Sequence, residues 1–412
     1  MRFFWGLLVF LFLNKLLNQW ADQLNQRSLQ SGIPELFADI IDREQYRRLE
    51  AYTAAQIRFA VWDRWVPFLI FLVFWLAGGF SHLYGWMVQW GGAEWMTGAC
   101  FVAVLIVLQQ LISLPFDYID TFRIEQAFGF NRSTRKTFWA DFAKGLLLTL
   151  VLGIPLFCLI WVFFRYAGDW AWFLGWISFS VISLGLTYLA PQWLLPLFNK
   201  FEPLKDSPLR RAIESLAESL EFPCQDILVM DGSRRSSKSN AFFTGFGKNK
   251  RIALFDNLLK QHDDKEIVAI LAHEIGHSKC GHIRIRMVVS FFQAGLIFFL
   301  AGWLISSPGL HAAFGFETTR VDTGLVLFSL LVTPLSRVCS LLSLALSRRH
   351  EFEADAYAAR AMEDPHPLSQ ALKKLTRDNL VLLKPHPLYV FIHDSHPPMI
   401  ERLQALKSVR AG

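Results

Sequence analysis

The feature that most constrains this chain is a set of apolar stretches long enough to cross a lipid bilayer. A hydrocarbon core of about 30 Å needs roughly 17–25 mostly apolar helical residues. Six runs meet that length, at about 65–88, 95–115, 145–165, 170–190, 287–305 and 324–346. A seventh, at about 3–19, is interrupted by Asn14 and Lys15. No small-residue cleavage site follows its apolar part, so it reads as a first span rather than a signal peptide. Charged residues make up only 18% of the chain and apolar residues 53%, against about 25% charged in soluble domains. The expected fold is mostly α: a bundle of about seven transmembrane helices with a smaller polar domain attached.

Loop charges orient the spans. The connections near 89–94 and 166–169 contain no Lys or Arg, and the one at 306–323 contains only Arg320. The other side carries Arg123, Arg132, Arg135, Lys136 and Lys144 in one loop, and Arg348 with Arg349 after the last span. By the positive-inside rule the 20–64 and 116–144 loops, the 199–286 segment and the C-terminus face the cytoplasm. The same dispersal explains the net charge of +6 without nucleic acid, because no basic domain collects it. The expected partner is the bilayer. The five cysteines are scattered and odd in number, so they set no disulfide framework.

Four regions follow: 1–198 with spans one to five, a polar 199–286 segment, 287–346 with spans six and seven, and a 347–412 tail. In the polar segment, residues 207–220 have helical periodicity with Ser207 as N-cap, and 226–230 reads as a short buried strand. Residues 240–246 and 251–255 flank the turn-like Gly247–Lys250 and suggest a hairpin. From about Asp264 to His282 the pattern is helical again.

That last helix contains His273-Glu274-Ile275-Gly276-His277, an HExxH motif. Residues four apart share a helix face, so both imidazoles can reach one ion while Glu274 holds a water beside it. A catalytic zinc needs a third protein ligand and an open position. Glu351-Phe352-Glu353-Ala354-Asp355 follows the last span. Glu351 and Asp355 lie on one helix face, giving a third ligand and an acceptor that can orient a ligand histidine. Glu353 lies about 200° round the helix from Glu351 and reads as a solvated or structural carboxylate. Spans six and seven form an antiparallel pair, which brings Glu351 and the HExxH helix to the same membrane surface.

Beyond these residues the chain resembles the type I CAAX prenyl proteases, integral-membrane zinc metalloendopeptidases. The resembling stretches are PELFADIIDREQY (34–46), PLFNKFEPL (196–204), DGSRRSSKSNAFFTGFGKNKRIALFDNLL (231–259), LAHEIGH (271–277), SRRHEFEADAYA (347–358) and SHPPMIERLQAL (395–406). The resemblance implies seven spans around an intramembrane chamber closed by a gluzincin-like α+β peptidase domain. It implies one Zn2+ per chain on His273, His277 and Glu351, with Glu274 as general base. It also implies cleavage near the C-terminus of prenylated proteins, at a bacterial inner membrane or an internal membrane of the endoplasmic-reticulum type. By the same resemblance His396 acts near the scissile carbonyl and Arg402 stands beside the site. Residue chemistry alone leaves His366, His386, His393 and His396 open for that role. The strand at Asn240, Ala241 and Phe242 matches the family's substrate-binding edge, where a peptide can pair by β-augmentation.

Two other readings compete. A transporter or receptor with a non-catalytic metal site suits seven spans and the intramembrane Arg337, but a structural zinc would fill all four positions with protein. A quality-control protease for damaged membrane proteins would share HExxH without needing the 231–259 block. Arg337 is expected to pair with a carboxylate or to line a chamber. His282 and His350 read as surface histidines, and Cys280 as packing.

Overall fold

The computed structural model describes residues 2–29, 32–244 and 250–409. Seven of its helices are long and apolar enough to cross a membrane among the described residues. The first is α1 (Arg2–Ser28). Asp42 then caps α2 (Arg43–Leu76) with a capping box, its side chain accepting from the Gln45 N–H while Gln45 accepts from that of Asp42. Helix α3 (Gly79–Val88) is followed by α4 (Glu94–Ile119), α5 (Arg135–Tyr166) and α6 (Ala171–Leu189). Short α7 (Leu195–Phe198) leads into the polar segment.

The apolar run at 65–88 is therefore not one span. Ala77 ends α2, and Gly78 takes a left-handed φ of +70° that restarts the chain as α3. Glycine tolerates that conformation at no steric cost, and hydropathy cannot register it. The span is instead carried by α2, which at 34 residues is about 50 Å long and outruns the hydrocarbon core at one end.

The polar segment folds into a four-stranded sheet, β1 (Phe201–Pro203), β2 (Cys224–Met230), β3 (Ala241–Thr244) and β4 (Lys250–Phe255), in the order β1-β2-β4-β3. Strands β2 and β4 are parallel, while β3 is antiparallel to β4 with Ala241 opposite Leu254 and Phe243 opposite Ile252. Most of the expected turn, Gly247–Asn249, lies outside the described residues. Among those described, no strand pairs with the outer edge of β3. Strand β1 was not legible in advance; its three residues show no periodicity.

Helix α8 (Pro208–Ser219) starts at the Ser207 cap, whose hydroxyl accepts from the Arg210 N–H at 3.1 Å. After α9 (Leu258–Gln261) comes the HExxH helix, α10 (Asp264–Lys279), which is followed by α11 (His282–Leu304), α12 (Pro308–Ala313) and α13 (Val321–Ala361). The tail folds into α14 (His366–Asp378), α15 (Pro387–His393) and α16 (Met399–Ser408).

One core forms around the sheet and α10, with Ile252, Leu254, Ile267, Leu271 and Ile275 all but inaccessible. It also takes Phe37 and Leu49 from the N-terminal region and Leu368 and Leu403 from the tail, so the peptidase region is assembled from distant parts of the chain. A second core, with Phe101, Phe314 and Leu327, closes the opposite end of the bundle. Between them the spans present large exposed apolar side chains such as Phe292, Phe299, Trp303 and Leu342, as a lipid-facing surface requires.

Candidate metal centre

Helix α10 is fixed at its start by a second capping box, in which the Asp263 carboxylate accepts from the Glu266 N–H at 3.0 Å and Glu266 accepts from the Asp263 N–H. Lys374 of α14 also pairs with Glu266 at 2.6 Å. Its ligand end is set by contact with α13. A Cβ on Gly276 would stand 3.2 Å from the Ala354 carbonyl and 3.3 Å from its Cα, so the lack of a side chain there lets the two helices touch. That contact carries Glu351 of α13 to the imidazoles of α10.

The His273 and His277 Nε2 atoms lie 3.1 Å apart. Glu351 Oε1 is 3.3 Å from His277 Nε2, and its Oε2 is 3.6 Å from His273 Nε2. One ligand atom from each of the three residues falls within 4.8 Å of the others. Glu351 Oε2 is buried and takes no hydrogen bond, although Arg402 Nη1 stands 3.1 Å away. Two imidazoles and a carboxylate converging this closely form a nitrogen–oxygen donor set that fits a divalent metal.

Behind these three side chains, Asp355 Oδ1 lies 2.8 Å from His273 Nδ1. Arg402 of α16, almost fully buried, donates to both Asp355 oxygens at 2.7 and 2.8 Å. Glu274 is half-buried between the two histidines in sequence. Burial pushes its carboxyl above the ordinary glutamate range, and the Glu351 charge adds to that, against the opposing pull of His273, His277 and Arg402. His396 stands at the mouth, exposed, with Nε2 3.4 Å from Glu351 Oε1 and Nδ1 2.9 Å from the Ser395 hydroxyl. Asn240 precedes β3 and accepts from the Phe255 N–H at 3.0 Å through its carbonyl; Ala241 is buried and Phe242 is half-buried on β3.

Several sequence expectations need correction. His282 and His350 are buried, not on the surface, and their rings stack 4.0 Å apart. Gly281, at φ +74°, ends α10 and swings His282 back, so its Nδ1 meets His277 Nδ1 at 3.0 Å. The other nitrogen of His282 reaches Glu353 at 3.0 Å, and Arg349 holds Glu353 at 2.8 Å. The signal for this chain of contacts was the glycine immediately before the histidine. Arg337 pairs with an amide and an imidazole rather than a carboxylate, donating to Asn18 Oδ1 at 2.6 Å and lying 3.1 Å from His393 Nδ1. Cys280 is exposed.

A multi-span helical membrane protein that gathers an HExxH helix and a carboxylate from a second helix at one surface is an integral-membrane metallopeptidase. Residues 23–200 match the family described as CAAX prenyl protease N-terminal, five membrane helices, and residues 203–410 match peptidase family M48. A "CAAX prenyl protease 1 homolog" of Arabidopsis thaliana is 36% identical over 386 residues, covering 91% of this chain and 90% of that protein. The "CAAX prenyl protease 1" of Saccharomyces cerevisiae is 33% identical, covering 93% and 90%. A solved crystal structure, that of S. mikatae Ste24p, superposes with a TM-score of 0.90 at 31% identity, covering 97% of each chain. The chain belongs to peptidase family M48 and is a metalloendopeptidase of the membrane.

Proposed function

We propose that this protein is a zinc endopeptidase that removes the C-terminal residues of prenylated CAAX proteins, cutting just after the lipid-bearing cysteine. The observation that carries the reading is the match to CAAX prenyl proteases over more than nine-tenths of the chain, membrane region and peptidase region alike. His273, His277 and Glu351 hold the metal, and Glu274, His396 and Arg402 complete the site. The peptidase region faces the cytoplasm, as the loop charges direct.

When bound, zinc supplies Lewis-acid chemistry, polarising the scissile carbonyl and making water acidic enough to attack at neutral pH. The rest falls to the chain's own residues. The substrate backbone pairs with the free edge of β3 from Asn240 to Phe242, which fixes its direction across the ligands. Glu274 takes the proton of the attacking water and returns it to the leaving amine. His396 donates an N–H to the oxygen on which charge develops. Arg402 acts through its neighbours, holding Asp355 against His273 and balancing the Glu351 charge.

The test is cleavage of matched farnesylated and unlipidated CAAX peptides by purified protein. This reading expects strong preference for the farnesylated peptide, cut between the cysteine and the first aliphatic residue. Equal cleavage of both, or cuts scattered through unrelated peptides, would favour a quality-control protease instead.

A further inference from the structure

Beyond the end of α10 the surface opens into a cavity of about 690 Å3 lined by residues of the membrane and peptidase regions together. Thr187 and Pro191 line it from the end of one span, and Ile283, Arg284, Arg286 and Met287 from the start of α11. It therefore lies at the boundary of the bilayer on the peptidase side. Phe222 and Phe243 give it an apolar floor.

Four cations converge on this space from three elements: Lys250 of β4, Lys279 of α10, and Arg284 and Arg286 of α11. Glu221 is the one carboxylate among the described residues that line it. No ion pair joins any of the four cations to a carboxylate among the described residues. Lys250 donates to the Ser278 hydroxyl at 2.6 Å and sits 4.5 Å above the Phe222 ring. Among the described residues Lys279 reaches only the Glu221 backbone carbonyl, at 3.3 Å. Burial, and then the like charges of Lys279 and Arg284, push the Lys250 ammonium below its ordinary pKa. Arginines beside a span are common as topology signals. Lys250 is different: it arrives from the sheet, is half-buried, and adds charge where charge already repels it.

We propose that this cavity binds the headgroup of an anionic phospholipid, its phosphate among Lys250, Lys279, Arg284 and Arg286 and its acyl chains along the α6–α11 side. Charge complementarity selects the anion, and the apolar wall at membrane depth selects a lipid over a soluble phosphate. The site holds a lipid next to Phe243 and Thr244 of β3, so it borders the strand assigned to the substrate without belonging to the metal centre.

The experiment measures lipid binding to the detergent-solubilised, full-length protein by native mass spectrometry, titrating phosphatidylglycerol against phosphatidylcholine. Phosphatidylglycerol is expected to bind more tightly, and each cation removed, in Lys250→Gln and Arg284→Gln, to lower its affinity about fivefold, with phosphatidylcholine unaffected. The exposed pair Arg135→Gln with Lys136→Gln is the control for general surface charge and should change nothing. Should Lys250→Gln fail to fold, Arg284→Gln combined with Arg286→Gln carries the same expectation on exposed residues. Equal binding of the two lipids, an unchanged affinity in the cavity variants, or an equal loss in the control pair would overturn the proposal. So would full displacement by inorganic phosphate alone, which would make the site a phosphate site and not a lipid one.

Discussion

Arg402 grips Asp355 through two parallel hydrogen bonds, at 2.7 and 2.8 Å, and Asp355 in turn stands 2.8 Å from His273 Nδ1. This buried fork connects α16 at the end of the chain to the HExxH helix. A guanidinium matches a carboxylate at two points, whereas a lysine ammonium is a single point charge. Arg402→Lys is therefore expected to weaken metal binding about 10–100-fold, the range seen when the partner of a ligand is lost. Competition with a chromophoric chelator measures it. An affinity equal to wild type would show that the fork does not orient His273.

The contact between α10 and α13 gives a second expectation. Gly276→Ala places a methyl 3.1 Å from the Tyr357 ring and 3.2 Å from the Ala354 carbonyl. Overpacking of this kind costs about 1–3 kcal/mol, and here it also separates Glu351 from the two histidines. Lower thermal stability and lower metal occupancy should appear together. Gly145→Ala in α5, where nothing lies within 4 Å, is the control and should be neutral or slightly stabilising. Unchanged metal content in Gly276→Ala would mean that the helix approach does not set the ligand geometry.

Glu274 must be ionised to accept a proton, and burial raises its pKa above the ordinary 4.5. Activity attributed to it is therefore present above that raised pKa and lost as pH falls through it. The acid limb of kcat/KM is expected at a pH above 4.5. A limb at or below the ordinary glutamate value would assign the base role elsewhere.

What the sequence made legible, and what it hid, separates along physical lines. The convergence of His273, His277 and Glu351 was readable because helical spacing and antiparallel spans dictate which side chains share a surface. The seven-span bundle was readable from hydropathy, but not the break at Gly78, which depends on one backbone dihedral. His282 was misread for the same reason, since the Gly281 turn buries a residue that continuous helical spacing would have pointed elsewhere. His396 could be chosen over His366, His386 and His393 only by family resemblance, because a loop histidine has no periodicity to place it. The basic cavity was invisible in advance: Lys250 and Arg284 become neighbours only when the sheet docks against the start of α11.

The most direct test of the central claim is Glu274→Gln, with metal content and cleavage of a farnesylated CAAX peptide measured on the same sample. Glutamine keeps the shape and removes the base, and Glu274 is not among the three ligands, so zinc should remain at about one per chain. Cleavage should fall by at least 10²–10⁴-fold, the usual contribution of a general base, and further if the same group also protonates the leaving amine. Full metal with abolished turnover is the predicted result; wild-type turnover with full metal would contradict the account.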